Sequence, residues 1–270
     1  MEIVHINNIT VPELAPYTRL TERQLQNRLH PEKGLFICES MKVIRVALER
    51  GLRPVSFLCE EKFIETLPDT SATVYTAPRG MLKELTGYEL SRGVLCAMQR
   101  PRLLSVEELI NDVETRLTTC RVAVIDSVVN SENIGAIFRA AASLGIDAVL
   151  LSRTCCDPLN RRACRVSMGT VFQLPWTFLD SYTQLKNSGF TIVALALTND
   201  SVPIDSPVLK SIDRMAIVMG TEGDGLSDNV LRMADHVVKI PMQRGVDSLN
   251  VAAAAAVAFW ELGKPPAGQG

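Results

Sequence analysis

Five runs in the C-terminal half of the chain are apolar nearly from end to end: RVAVID at 121–126, DAVLLS at 147–152, FTIVALAL at 190–197, RMAIVMG at 214–220 and HVVKIP at 236–241. A strand with one face in water alternates apolar and polar residues. A strand covered on both faces does not, and parallel sheets flanked by helices are built from the second kind. Helix-compatible segments separate the runs, the last being LNVAAAAAVAFWEL. Right-handed crossovers then put the loops after these strands along one edge, where open α/β sheets bind ligands.

The N-terminal part alternates at a shorter pitch. A helix is expected over 17–29, with Leu20, Leu25 and Leu29 available for burial. Extended GLFIC, helical ESMKVIRVALERG, extended PVSFLC and helical EEKFIETL follow, then strands over 72–75 and 93–98 around a helix at 81–85. This pattern makes a small three-layer α/β module. The expected organisation is an α/β domain over 1–105, a helical connector over 106–120 and the parallel-sheet domain over 121–270.

Composition narrows the class. No apolar run approaches the ~20 residues of a membrane-spanning helix. The opening MEIVHINNIT shows no basic stretch followed by an apolar one, so nothing in it suggests export. Seven cysteines, an odd number scattered through apolar runs, fit buried thiols in a reducing, cytoplasmic setting rather than a disulfide frame. A net charge of −2 argues mildly against nucleic acid. The cluster that could answer it is Arg161, Arg162 and Arg165, with Arg153 nearby, which would serve equally as an ordinary solvated face. The histidines are His5, His30 and His236, without zinc-site spacing, and no metal is expected. Walker A loops and G-x-S-x-G elbows are absent from the sequence.

Three loops after strands could carry chemistry. In NSENIGAIFRAA, Asn133 is expected to cap a helix whose buried stripe is Ile134, Ile137, Phe138 and Ala141. Arg139 lies off that stripe, one turn past Gly135. Helical side chains lean toward the N-terminus, so its guanidinium should lie near the strand end. A surface arginine beside a packing glycine is the other reading. In IVMGTEGDGLS, glycines permit close backbone approach to a ligand, and Glu222 is the carboxylate between Gly220 and Gly223. A tight turn explains that segment as well, and its glycine spacing is not the dinucleotide fingerprint. In IPMQRGVDSLNVA, Ser248 is expected to cap the last helix and Asn250 to sit in its first turn.

Together and in this order, the three segments resemble the motifs of the SpoU (TrmH-type) branch of the SPOUT methyltransferase superfamily. DPLNRRACRVSMGTVFQLP is similar to the stretch between its first two motifs, and GLFICES with the following helix is more distantly similar to the substrate-binding domain that often precedes it, a relative of ribosomal kink-turn-binding proteins. The resemblance implies a C-terminal SPOUT domain with a trefoil knot and an RNA-binding α/β domain before it. It implies a homodimer, S-adenosylmethionine as methyl donor, and a ribose 2′-hydroxyl of RNA as acceptor, 23S ribosomal RNA ahead of transfer RNA. Carried over by position, it implies Asn133, Arg139, Glu222, Ser248 and Asn250 on the catalytic face. Leu197, Thr198, Gly220, Ile240 and Leu249 would line the cofactor pocket, and Arg161, Arg162 and Arg165 would contact RNA. Two positions depart from the pattern: Ala140 stands where threonine is common, and Ala252 where serine is common. A dinucleotide-dependent oxidoreductase and a non-catalytic RNA-binding assembly protein are the competing readings.

Overall fold

The computed structural model describes residues 1–8, 10–18, 21–27, 29–87, 90, 93–114, 119–221 and 225–264. Two compact units emerge, one of residues 1–102 with 159–173, the other of 103–158 with 174–270.

Along the first unit run β1 (Ile3–His5), α1 (Ala15–Thr18), α2 (Glu22–Gln26), β2 (Leu35–Glu39), α3 (Met41–Glu49), β3 (Pro54–Cys59), β4 (Thr73–Thr76), α4 (Arg79–Thr86) and β5 (Val94–Gln99). Among the described residues they form a mixed sheet in the order β1-β4-β3-β5-β2, with β5 antiparallel to both its neighbours. Its core gathers Leu14, Tyr17, Leu25, Ile37, Leu58, Leu82 and Leu95. The helix expected over 17–29 is broken. Thr21 starts a new helix with a reciprocal capping box to Gln24, and Asn27 ends it in the left-handed conformation. Leu29 consequently lies 90% exposed instead of buried. The segment 61–66 is a 3-10 helix. The short strand β1 is exposed and only three residues long, so no extended apolar run announces it.

The chain continues through α5 (Val106–Glu114), β6 (Cys120–Ile125), α6 (Ser131–Ser143), β7 (Ala148–Ser152), α7 (Arg161–Val166), β8 (Trp176–Leu179), α8 (Tyr182–Asn187), β9 (Thr191–Leu195), β10 (Val202–Pro203), α9 (Pro207–Lys210), β11 (Arg214–Met219), α10 (Asp228–Met233), β12 (His236–Lys239) and α11 (Val251–Leu262). Among the described residues, the second unit holds a parallel sheet in the order β10-β12-β9-β11-β6-β7-β8. All five apolar runs became strands of it. One face packs Val122, Val124, Leu150, Ile192, Ala216 and Val218 against residues of α5, α8 and α10. The alternate residues Ala123, Ile125, Val149, Val193 and Ile217 are equally buried and point to the opposite face. α6 and α11 pack on each other, and the alanines of α11 let the two backbones come close. Although α7 lies between β7 and β8 in sequence, it groups with the first unit, where Phe172 meets Phe36 with ring centroids 5.7 Å apart.

The C-terminal end of α11 is pinned under the sheet. Arg121 Nε donates to the Leu262 carbonyl at 2.8 Å and its Nη1 to that of Asp213 at 2.9 Å. Lys264 Nζ lies 2.8 Å from an oxygen of Asp147. The loop beneath is closed by Gly145, whose φ of +75° excludes most side chains and whose missing Cβ would sit 2.5 Å from the Lys264 nitrogen. Gly145→Ala should therefore cost about 2–5 kcal/mol, from left-handed strain plus the displaced backbone. A urea titration should show a lower midpoint with an unchanged slope. An unchanged midpoint would contradict both the strain at Gly145 and the packing against Lys264.

Candidate active site

The C-terminal ends of β9, β11 and β12 open onto one cavity of about 820 Å³. That volume lies in the range of small-molecule sites, roughly 300–1,000 Å³. Each wall is shaped by local sequence. After β9, Ser201 Oγ donates to the Thr198 carbonyl at 2.7 Å and closes the turn that leaves Leu197 exposed and Thr198 half-buried. After β11, Thr221 bridges to Gly225, and Ser227 caps α10 through the Val230 N–H. Gly220 packs so tightly into this turn that a Cβ would lie 2.5 Å from the Gly225 carbonyl oxygen and 2.9 Å from the Leu226 nitrogen. A ligand therefore meets backbone here. After β12, Pro241 interrupts the strand, and the chain turns at Arg244 and Gly245, both at positive φ, to reach α11.

Asn250 caps α11, accepting from the N–H groups of Ala252 and Ala253 at 3.0 and 3.4 Å. Its Nδ2 donates to Asn133 Oδ1 at 3.1 Å. One side chain thus starts the last helix and ties it to the first turn of α6. This corrects two expectations. Ser248 does not cap α11, because the helix starts at Val251 and not two residues earlier. Asn133 does not cap α6, because Asn130 does so by accepting from the Glu132 N–H, which leaves Asn133 buried and directed to Asn250.

The cavity collects Leu197, Thr198, Gly220, Ile240 and Leu249, along with Ser248 and Asn250. Its apolar lining also includes Leu195, Met219, Leu226 and Val238. Apolar walls with exposed backbone at three strand ends fit a flat heteroaromatic ring with a polar sugar, as in an adenosine compound. Sequence reasoning missed Lys239 and Asp247, the charged residues of the lining among those described. Asp247 lies inside the third motif and Lys239 directly before it, which was the available signal. Arg139 is exposed on α6, and its guanidinium forms no hydrogen bond or ion pair among the described residues. Glu222 lies outside the described residues. Arg161 and Arg165 belong to the first unit, where they sit 3.9 and 3.5 Å from carboxylate oxygens of the buried Glu39, while Arg162 is exposed.

The model of the SpoU rRNA Methylase family matches residues 121–260, the whole stretch that builds this cavity. The chain belongs to that family. Among relatives of this SpoU methylase, an uncharacterized tRNA/rRNA methyltransferase of Mycobacterium bovis is 36% identical over 93% of this chain and 88% of its own length. The 23S rRNA (guanosine(2553)-2′-O)-methyltransferase RlmP of Bacillus subtilis is 33% identical over 87% of this chain and 93% of its own. The fold matches an AdoMet-bound rRNA methyltransferase from Sinorhizobium meliloti, with a TM-score of 0.78 at 21% identity, covering 96% of this chain and 97% of that one. It also matches the SpoU methyltransferase AviRb from Streptomyces viridochromogenes in complex with AdoMet, with a TM-score of 0.73 at 21% identity, covering 93% and 97% of the two chains.

In this SpoU methylase, Asn133→Ala would remove the acceptor that ties Asn250 to α6 while leaving the cavity lining intact. The expected result is a loss of about 10-fold in single-turnover methyl transfer, the worth of one such bond. Calorimetric affinity for S-adenosylhomocysteine should stay near wild type. Equal losses in both measurements would contradict a role confined to α6.

Proposed function

We propose that this protein transfers the methyl group of S-adenosylmethionine to a ribose 2′-hydroxyl of 23S ribosomal RNA in the cytoplasm. The observation that carries the reading is the single cavity shared by three strand-end loops and linked through Asn250 and Asn133 to the helix of Arg139. The similarity to RlmP over nearly the whole chain supports the acceptor.

The donor supplies a methyl group already activated by positive charge on sulfur. What the chain adds is alignment, which in favourable intramolecular cases contributes up to ~7–11 kcal/mol. Leu197, Ile240 and Leu249 would hold the adenosine by apolar contact, Thr198 would close the rim, and Gly220 would let backbone approach it. Ser248 and Asn250 lie on the polar side of the cavity, and the family resemblance assigns Glu222 to the same catalytic face. Arg139 grips the phosphate beside the target ribose and stabilises the negative charge that develops on its oxygen. A guanidinium does not give up its proton in a protein, so the hydroxyl proton passes to a phosphate oxygen or to water.

The same reading extends to assembly. Trp260, 77% exposed, and Val257 leave an apolar stripe on α11 that a second copy of the chain would cover in a homodimer. A trefoil-knotted path belongs to the same reading, and the packing of α11 on α6 is compatible with it. The N-terminal domain would bring the RNA. Arg162 is the exposed phosphate contact on α7, with Arg161 and Arg165 beside it, held by Glu39.

The test is to incubate the protein with methyl-labelled S-adenosylmethionine and RNA from a strain lacking the gene, then digest the RNA to nucleosides. Label in 2′-O-methyl nucleosides of 23S RNA is expected. Label in transfer RNA would overturn the substrate, and label on a base would overturn the chemistry.

A further inference from the structure

Beside the cavity, at the ends of β6 and β7, lies a polar cluster that the scheme above does not use. Asp126 accepts from Ser127 Oγ at 2.9 Å and from the Tyr182 hydroxyl at 3.0 Å. Ser127 Oγ lies 2.8 Å from Thr154 Oγ1, which lies 2.8 Å from Ser152 Oγ. The Ser127 N–H donates to that same Ser152 oxygen at 2.8 Å. Proton directions follow from chemistry. A carboxylate only accepts, so Ser127 and Tyr182 both commit their protons to Asp126. The Ser127 oxygen must then accept from Thr154, Thr154 from Ser152, and Ser152 from the Ser127 N–H. The result is a chain of three hydroxyls ending on one carboxylate and closed into a ring by the Ser127 backbone N–H.

The ring surrounds a backbone that needs holding. Ser127 has φ +59°, in the left-handed region, where a non-glycine residue is strained. Two further bonds clamp the same turn. The Asp126 N–H donates to the Met219 carbonyl at 2.8 Å, one residue before Gly220, and the Cys156 N–H to the Val128 carbonyl at 2.9 Å. From Ser127 the chain runs through buried Val128 to the cap Asn130 and the turn of α6 that carries Asn133.

We propose that Asp126, Ser127 and Tyr182 are positioning residues for methyl transfer: their hydroxyl relay holds the strained turn at Ser127 and thereby sets how α6 presents Asn133 and Arg139 to the cavity. The proposal rests on the function assigned above. None of the three lines the cavity, so they act through α6 and not on the donor.

The experiment compares wild type, Tyr182→Phe, Asp126→Ala and Asp126→Asn. Tyr182→Phe removes one hydroxyl without changing shape, and Asp126→Asn keeps one acceptor oxygen. Misplacing a reacting group by about an ångström costs on the order of 100-fold. Expected kcat losses are therefore about 10-fold for Tyr182→Phe and about 100-fold for Asp126→Ala, with partial rescue in Asp126→Asn. KM for RNA and the Kd for S-adenosylhomocysteine should stay within about 2-fold, as for groups that touch neither ligand. Amide hydrogen exchange over residues 127–133 should quicken in the slow variants while the melting temperature holds. That last readout needs no substrate, so a wild type that methylates no RNA would strike the assigned function and not the relay. Wild-type kcat and exchange in Asp126→Ala would overturn the proposal. So would donor affinity and melting temperature falling in step with kcat.

Discussion

Arg139→Ala is expected to lower single-turnover methyl transfer by about 100- to 1,000-fold, the usual cost of removing a group that stabilises developing charge on oxygen. The argument is geometric and chemical. Arg139 is exposed on α6 and its guanidinium forms no hydrogen bond or ion pair among the described residues, so it is available to a phosphate. Its own helix is tied to the cavity through Asn133 and Asn250. Because the side chain does not line the cavity, S-adenosylhomocysteine should bind the variant as it binds wild type. Arg139→Lys should rescue poorly: an ammonium keeps the charge but loses the planar pair of donors that fits a phosphate edge. Stopped transfer assays on bulk RNA, paired with calorimetry, separate these effects. Full activity in Arg139→Ala would remove the residue from the mechanism. Full rescue by lysine would reduce its role to charge alone.

Gly220→Ala should have the opposite signature, with donor binding lost first. The added methyl would lie 2.5 Å from the Gly225 oxygen, 2.7 Å from its carbonyl carbon and 2.9 Å from the Leu226 nitrogen. Each of these is backbone, so no side chain can swing aside. The bridge between Thr221 and Gly225 must open, and both of these residues line the cavity. Overpacking of this kind costs about 1–3 kcal/mol, and 1.4 kcal/mol is tenfold in affinity. Calorimetry should therefore show S-adenosylhomocysteine weakened by about 10- to 100-fold, with the protein still folded by circular dichroism. Unchanged affinity would mean that the backbone at Gly220 does not approach the ligand.

How far the molecule could be read beforehand depended on whether the decisive contacts were local. RVAVID and RMAIVMG announce β6 and β11 because residues buried on both faces leave no polar alternation. β8, over Trp176–Leu179, escaped notice because it is short and follows Pro175, and β10 has two residues. The caps were misplaced by two or three positions for a different reason. Asn130 and Asn133 are both competent caps in isolation, and the choice is made by Asn250, 117 residues away, which engages Asn133. The same bond fixes Asn250, in place of Ser248, as the start of α11. The segment 159–173 joined the first unit through Glu39 and Phe36, partners more than a hundred residues earlier that no periodicity could reveal. The residues that line the cavity were anticipated through the family resemblance; the strand pattern alone placed the loops and not their role. The relay at Asp126 was not, since its serines, threonine and tyrosine look like ordinary loop polarity until they are folded together.

A crystal structure with S-adenosylhomocysteine tests the central claim most directly. The adenosine should lie against Leu197, Gly220, Ile240 and Leu249, with the sulfur facing the side of the cavity where Asn250 meets Asn133. A cavity that stays empty while the compound binds elsewhere on the chain would contradict the account.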